Sequence, residues 1–156
     1  MRKRLIDSDA PATPADNGSW LDLERVAQVE ITSEDAAYPI ESALKGRGPG
    51  WRAVEAGKQV IRLVFDDPLK LRKIRVVFDE QLEPRTQEFT LHWSKDNGGS
   101  YQEIVRQQYT FSPPNTTSEA EDYAVDLDRV TALELRIVPD ISRGAARASL
   151  RALRLA

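Results

Sequence analysis

The chain has 156 residues and a net charge of −3, with one histidine and no cysteine. This length is that of one ordinary domain able to bury a core, and 40% hydrophobic with 30% charged residues is typical of a globular protein. The lack of cysteine excludes disulfides and zinc–thiolate sites, and a single histidine excludes a multi-histidine metal site. A pI near 5.3 argues against general binding of nucleic acid through phosphate neutralisation.

The first residues do not have the pattern of a targeting signal. Basic residues open the chain, but acid, proline and alanine follow where a secretory signal carries its apolar segment. No run approaches the ~20 apolar residues that span a bilayer, so we expect a cytoplasmic protein with no membrane partner. Pro11 and Pro14 among polar residues indicate an irregular leader over residues 1–23, followed by one domain over residues 24–156.

Six segments alternate between apolar and other residues, which is the pattern of half-buried β-strands. They cover residues 25–33, 58–66, 71–80, 87–96, 121–128 and 132–140. Their alternation predicts an inward face made of Ile61, Leu63, Phe65, Ile74, Val76, Phe78, Phe89, Leu91, Trp93, Tyr123, Val125, Leu127, Leu133, Leu135 and Ile137.

Turn residues separate the segments. Asp67-Pro68 lies between the second and the third, and Asn97-Gly98-Gly99 has the composition of a short hairpin turn. Residues 35–46 could form one helical turn at most, and no stretch predicts a long amphipathic helix. Short strands with a turn about every ten residues are typical of sandwiches and barrels. We therefore predict an all-β fold, a jelly-roll-like antiparallel β-sandwich of about eight strands.

Five pieces of the chain follow one another in a recognisable order: YPIESALKG, GWRAVEAGKQVIRLVFDDPLKLRKIRVVF, EFTLHWSKDNGGSYQEI, LELRIVPD and ASLRALRLA. This order resembles the discoidin superfamily, which includes coagulation-factor type C domains and the galactose-binding-like sugar-binding modules of bacterial glycosidases. The resemblance covers residues 24–156 and implies an eight-stranded sandwich with binding loops at one end. The segment WRAVEAG is also similar to part of the N-terminal domain of a eukaryotic single-strand-break repair scaffold that shares this fold.

Two positions depart from the family pattern. Members usually carry an acid in the loop where this chain has Lys45, and commonly a glutamate where it has Ala152. In the family these acids help to hold a structural calcium, which needs several oxygen ligands. The departure implies that the calcium site is absent, and we expect no metal or other cofactor.

The glycine run Gly46-Arg47-Gly48-Pro49-Gly50 raises the question of a phosphate-binding loop. Such a loop leads from a strand into a helix and carries a Lys-Ser/Thr pair. This run contains a proline and leads through Trp51 into a strand instead. We therefore predict that the glycines form a tight bend and that Trp51 closes one end of the sandwich.

Sugar sites combine an aromatic platform with a few planar polar groups, and an arginine fork pairs well with neighbouring hydroxyls. The candidate ligand-binding residues on predicted loops and platforms are Arg47, Trp51, Arg52, Arg85, Tyr109, Asn115 and Arg143, with Trp20 and Tyr38 as further platforms. The sequence does not place them on one rim. The segment 111–121, with two prolines between aromatic residues, suits either recognition or a lid over the core.

Catalysis finds little support in the sequence. His92 lies mid-strand between Leu91 and Trp93, so we expect it to face solvent, and no nucleophile elbow accompanies it. The many carboxylates have no evident apolar setting that would raise a pKa. We therefore expect that the chain is not an enzyme.

The sequence favours a non-catalytic binding module that binds carbohydrate through loops at one end of the sandwich. The alternative is an intracellular protein–protein interaction domain with no sugar ligand. A nucleic-acid partner is opposed by the acidic balance, and we interpret the arginines near the C-terminus as solvated edges of the last strand. These arginines are Arg143, Arg147, Arg151 and Arg154.

Overall fold

A computed structural model describes residues 20–142 and 144–156, and these form mainly antiparallel β-sheet. The strands are β1 (Ala27–Ile31), β2 (Trp51–Ala56), β3 (Gln59–Asp79), β4 (Arg85–Ser94), β5 (Gln102–Phe111), β6 (Ser118–Val138), β7 (Arg147–Leu150) and β8 (Ala152–Leu155). Two short helices accompany them, α1 (Leu23–Val26) and α2 (Ile40–Lys45). Because the longer has six residues, no helix in the described part of the chain could cross a membrane.

Two long strands carry the chain from one layer of a sandwich into the other. The first half of β3 pairs with β1 and with the second half of β6, whereas its second half pairs with β8 and with the first half of β6. The β3–β6 pairing shifts register between Val64 and Lys73, and Arg129 in β6 has a φ of 58° near the corresponding bend. With β4 and β5 added beside β6, the result is a five-stranded layer facing a three-stranded layer of β8, β3 and β6. Strands β2 and β7 form a separate small sheet.

The predicted strand boundaries need several corrections. Asp67-Pro68 is not a reversing turn, because it lies inside β3 where the chain bends between layers. Residues 129–131 likewise belong to β6 rather than to a link between two strands. Val26 ends α1, so β1 begins one residue later. Four strands, β2, β5, β7 and β8, lie outside the six segments. The exposed and polar residues of β2 and β5 leave only a weak alternation, and β7 and β8 have four residues each.

Alternate positions of both layers supply the core. Phe78 of the three-stranded layer meets Phe89 of the five-stranded layer with ring centroids 5.0 Å apart. The residues predicted to face inward are all buried or half-buried. The predicted all-β sandwich is therefore confirmed, and so is the Asn97-Gly98-Gly99 hairpin turn, which joins β4 to β5.

His92 is more buried than its strand position suggests. Its side chain lies on the face of β4 opposite the core, yet the residue is only 8% exposed. The prediction that it faces solvent is wrong, because long side chains of neighbouring strands cover it. Its Nε2 lies 3.7 Å from a carboxylate oxygen of Glu103. Burial, together with the positive charge of Arg136, lowers the pKa of His92.

The end of the predicted leader is attached to the sandwich. The backbone N–H of Leu21 donates to the carbonyl oxygen of Leu155 at 2.8 Å, and the side chain of Leu23 is buried. Residues 1–19 lie outside the described residues, so the boundary between leader and domain stays a prediction.

Candidate functional site

The glycine run after α2 forms a tight bend. Gly46 caps the helix in the left-handed conformation with φ of 73°. Gly50 has φ of 84°, and a Cβ at this position would lie 2.6 Å from the carbonyl oxygen of Leu150. Trp51 follows as a buried residue whose indole N–H donates to the carbonyl oxygen of Ser33 at 3.0 Å. The predicted bend and the packing role of Trp51 are confirmed, and Trp51 offers no exposed platform to a ligand.

Arg85 lies beneath the surface rather than on a loop. It begins β4 and is buried, and its Nε donates to a carboxylate oxygen of Glu80 at 2.6 Å. Its Nη1 donates to the carbonyl oxygen of Pro139 at 2.7 Å, and its guanidinium lies 4.9 Å from the ring centre of Phe111. The expectation of an exposed loop arginine is wrong, because this guanidinium joins two loops from below.

The other predicted ligand residues are dispersed. Arg52 lies in β2, and its guanidinium stacks over the Tyr38 ring at 5.2 Å. Tyr109 lies in β5, and Asn115 is exposed on the loop that follows. No hydrogen bond or ring contact joins Arg52 to either of them. Arg143 lies outside the described residues, so its predicted role stays a prediction.

The aromatic side chains around the two prolines turn inward. Phe111 is buried and packs edge-on against Tyr109 with ring centroids 5.1 Å apart. The Tyr109 hydroxyl donates to the carbonyl oxygen of Ser118 at 3.0 Å. The peptide between Pro113 and Pro114 is cis. The inward packing of Phe111 is what a lid over the core requires, and a role of this segment in recognition stays a prediction.

A buried carboxyl group lies below that lid. Glu119 is 2% exposed, and neither of its carboxyl oxygens has a hydrogen-bond partner among the described residues. Burial, and the nearby carboxylate of Glu121, raise the pKa of Glu119 to about 8. Sequence reasoning missed this group because the β6 pattern does not show which residues of the opposite layer cover it.

Exposed aliphatic side chains lie at one end of the sandwich, which we name the loop end. It comprises loop 80–84, the turn between β2 and β3, and residues 139–142 and 144–146. The Gly57 N–H of the turn donates to the Ala146 carbonyl oxygen at 3.2 Å. Leu82 is 82% exposed, Ile141 is also exposed, and so is Val54 of the adjoining strand β2.

A cavity of about 410 Å³ lies on the outer face of the three-stranded layer. We name it the arginine groove, and its lining residues are Trp20, Gly46, Arg75, Val77, Asp79, Ser118, Arg151, Ala152 and Arg154. A second cavity of about 260 Å³ adjoins it through Trp20 and Arg154, and brings Lys45 and Arg47 to its wall. Of the predicted ligand residues and platforms in the described part of the chain, Arg47 and Trp20 reach these two cavities.

Strand alternation and register build the groove. Because Ile74 and Val76 face the core, Arg75 between them faces outward. Arg75 lies directly opposite Arg154 across the β3–β8 pair. The guanidinium of Arg154 lies 5.7 Å from the ring centre of Trp20, and its Nη1 donates to the Lys45 carbonyl oxygen at 2.6 Å.

The groove concentrates positive charge. Three arginines and one acid, Asp79, line it, and Asp79 pairs with Arg151 at 2.6 Å. Arg75 lies 3.8 Å from the carboxylate of Asp122. The Nε of Arg154 is buried and has no hydrogen-bond partner among the described residues. Burial, and then the charge of Arg47, lower the pKa of Arg154.

The positions expected to lack calcium ligands have other surroundings. Lys45 Nζ lies 3.4 Å from a carboxylate oxygen of Glu24, and Ala152 lies on the floor of the groove. In residues 20–142 and 144–156 no group of three or more histidine, aspartate or glutamate side chains could hold a metal ion. The absence of a calcium site stays a prediction.

Comparisons with known proteins find likeness in structure only. No protein-family model matches the sequence, and no curated protein matches it. A family 32 carbohydrate-binding module from Clostridium perfringens, in complex with GalNAc-β-1,3-galactose, has a TM-score of 0.62 and 17% identity over 88% of this chain and 99% of that chain. The family 32 module of C. perfringens NanJ, in complex with galactose, has a TM-score of 0.58 and 16% identity over 87% and 96%.

A repair protein has the same architecture. The structure of reduced XRCC1 bound to the catalytic domain of DNA polymerase β has a TM-score of 0.60 and 15% identity over 84% of this chain and 96% of that chain. Likeness at such identities shows the fold. The chain therefore has the galactose-binding-like, discoidin-type β-sandwich, and the fold resemblance found in the sequence is confirmed.

Proposed function

We propose that this chain is a non-catalytic carbohydrate-binding module and that the arginine groove is its binding site. The observation that carries the proposal is an indole ring, Trp20, beside the guanidinium of Arg154 in an open cavity. The fold supports it, since structures with this architecture include modules in complex with sugars. The proposal moves the site away from the loops at one end, because Trp51 and Arg85 are buried.

The groove has the chemistry that a sugar needs. Small-molecule sites generally have volumes of about 300–1,000 Å³, and the groove falls in that range at about 410 Å³. An indole face packs against the C–H face of a sugar ring, and planar guanidinium groups donate to its oxygens in fixed directions. Val77 and Ala152 form a floor of short side chains beside these groups.

The absence of catalysis is part of the proposal. The chain's single histidine, His92, is buried on the opposite layer, and its Nδ1 has no hydrogen-bond partner among the described residues. The carboxyl group with a raised pKa, Glu119, lies between the layers, away from solvent. A general acid must reach its substrate within hydrogen-bond distance, so neither group is suited to attack a bound glycan.

The three tryptophans of the chain provide a direct test by NMR. Each indole N–H gives its own signal, and Trp20 lines the groove whereas Trp51 is buried in the core and Trp93 lies in β4. The protein is titrated with neutral and acidic oligosaccharides. We expect the Trp20 signal to move and the other two to stay in place. The proposal would be refuted if a glycan binds without moving any of the three signals, or if no glycan of the panel binds.

A second candidate function is protein binding at the loop end. The exposed side chains of Leu82, Val54 and Ile141 favour it, because they are the large apolar side chains that the described residues expose, and exposed apolar patches often mark protein interfaces. Affinity purification with wild-type protein, a Leu82→Ser/Ile141→Ser variant and a Trp20→Ala variant tests it. A partner lost only by the loop-end variant would support this function, and a partner kept by all three would contradict it.

A further inference from the structure

We propose that the arginine groove selects acidic sugars and binds a uronate-containing glycan through its carboxylate. This inference rests on the proposed carbohydrate function and goes further by naming the ligand class. It follows from the placement of three guanidinium groups, from a donor without an acceptor and from the local charge balance.

The first observation is the juxtaposition of like charges. Arg75 and Arg154 are directly opposite each other on neighbouring strands, and both line the groove. Like charges directly opposite across a strand pair destabilise a sheet. An anion placed between the two guanidinium groups would reverse the sign of that interaction. A carboxylate suits the position because its two oxygens accept hydrogen bonds from an arginine fork in parallel.

The second observation is an unused donor. Arg154 donates through Nη1 to the Lys45 carbonyl oxygen, but its buried Nε has no acceptor among the described residues. A buried donor without a partner costs free energy, and a charged one costs more. A ligand carboxylate on this guanidinium would supply the acceptor. Trp20 lies against the same guanidinium, and Lys73 Nζ lies 5.8 Å from its ring centre, so the indole lines the groove beside the position of the carboxylate.

The third observation is the local charge balance. The chain carries a net charge of −3, yet three arginines and one aspartate line the groove. In the adjoining cavity the charges of Lys45 and Arg47 are balanced by those of Asp22 and Glu24, so the excess of positive charge belongs to the groove itself. Arg151 pairs with Asp79 and Arg75 lies near Asp122, so the guanidinium that a uronate carboxylate would compensate is that of Arg154.

The same balance disfavours a nucleic acid. Binding of a phosphate polymer needs cations spread along its backbone, usually with several aromatic stacking groups. Here Trp20 is the one aromatic residue in the lining, and Asp79 and Asp122 flank the arginines. The positive charge is confined to a cavity, which fits one acidic residue of a glycan better than a continuous strand.

The experiment compares three probes on the full chain by isothermal titration and NMR: tri-galacturonate, its neutral methyl ester and an oligothymidylate. We expect tri-galacturonate to bind about tenfold tighter than the ester, since hydrogen bonds to a charged group are the stronger ones. Arg75→Gln should lower the affinity for the acid to that for the ester. Arg72→Gln is the matched control, because Arg72 lies on the same strand, is exposed and does not line the groove.

Results other than the expected one distinguish a failure of the uronate proposal from a failure of the carbohydrate proposal. Equal binding of acid and ester, with the Trp20 signal moving in both, would overturn the acidic selectivity and keep the carbohydrate function. If neither the acid nor the ester binds, the carbohydrate function itself is refuted. If the oligothymidylate binds more tightly than the acid, the groove is assigned to phosphate polymers and the proposal of a uronate ligand is overturned. The comparison of acid with ester needs no variant, so it remains decisive if Arg75→Gln does not fold.

Discussion

The two outer faces of the sandwich differ in how their arginines are hydrogen-bonded. On the five-stranded layer Arg62 donates to Glu30 and to Glu134 at 2.8 Å each, and Arg136 donates to Glu134 at 2.6 Å. Glu134 is only 3% exposed, so this face satisfies its arginines internally. On the three-stranded layer Arg75 lies between Arg154 on one neighbouring strand and Asp122 on the other. The first face closes its hydrogen bonds, whereas on the second the buried Nε of Arg154 has no acceptor among the described residues.

The cavities on the two faces agree with this difference. The cavity on the closed face has about 90 Å³ and is lined in part by Glu88, Arg106 and Arg136, whereas the arginine groove has about 410 Å³. Around the groove Arg151 pairs with Asp79, and Arg75 lies 3.8 Å from Asp122. Arg154 differs, because its buried Nε has no acceptor among the described residues. The comparison teaches that the pairing of the arginines, rather than their number, distinguishes the two faces.

The largest expected effect is on the closed face. Glu134→Gln should lower the free energy of unfolding by about 3 kcal/mol, because two guanidinium groups lose a buried carboxylate. Glu30→Gln is the control: Glu30 is exposed, and exposed ion pairs contribute about 0.5 kcal/mol. Urea denaturation at pH 7 measures both. Equal losses in the two variants would show that burial does not distinguish this network.

The pH dependence of stability should separate Glu134 from Glu119. Burial by itself would raise the pKa of Glu134, but hydrogen bonds from Arg136 and Arg62 lower this pKa below its ordinary value. Its contribution is therefore present above the unfolded pKa of about 4.3 and is lost as the pH falls. The pKa of Glu119 is raised to about 8, so stability falls as the pH rises from about 4.3 toward that value.

Glu119→Gln tests the alkaline side of this profile. The variant should be more stable than wild type by about 2 kcal/mol at pH 9, because no buried charge then forms. Urea denaturation from pH 5 to pH 9 measures the difference, and Glu55→Gln, at an exposed position of β2, is the control. An unchanged slope between pH 6 and pH 9 would show that Glu119 does not titrate there.

Two glycine variants separate groove geometry from backbone strain. Gly46 and Gly57 both have positive φ, and either change to alanine should cost about 1 kcal/mol of stability. A Cβ at Gly46 would clash with Nη1 of Arg154 and lie 3.2 Å from its Cδ, whereas a Cβ at Gly57 would meet nothing within 4 Å. Only Gly46→Ala should therefore weaken glycan binding. Thermal unfolding and isothermal titration give the two quantities, and equal weakening by both variants would contradict the role of Arg154.

The smallest expected effect is stabilisation by a simple anion. Sulfate should raise the melting temperature more than chloride at equal ionic strength, by an amount equivalent to about 0.5 kcal/mol, since an anion in the groove binds only the folded state. The difference should shrink in Arg75→Gln and persist in Arg72→Gln. A sulfate effect that is equal in both variants would place the anion elsewhere.

The sequence predicts the interior well and the groove poorly. Alternation identifies Ile74, Val76 and Phe78 as inward residues because burial of every second side chain needs only a local pattern. Arg75, between Ile74 and Val76, is thereby outward. Nothing local shows that Arg154 lies opposite it, since the β3–β8 register joins residues about eighty positions apart in the chain. The interpretation of Arg151 and Arg154 as solvated strand edges therefore misses the groove.

The amino-acid sequence by itself determines the all-β class, the inward face of the long strands, the tight glycine bend and the packing of Trp51. These follow from periodicity and turn chemistry, which act between near neighbours. Only the tertiary structure decides that β3 and β6 continue through both layers, that Arg85 is buried and that Trp20 meets Arg154. Those features depend on pairing between distant segments, and strand register across such distances is set by the whole core rather than by any short stretch.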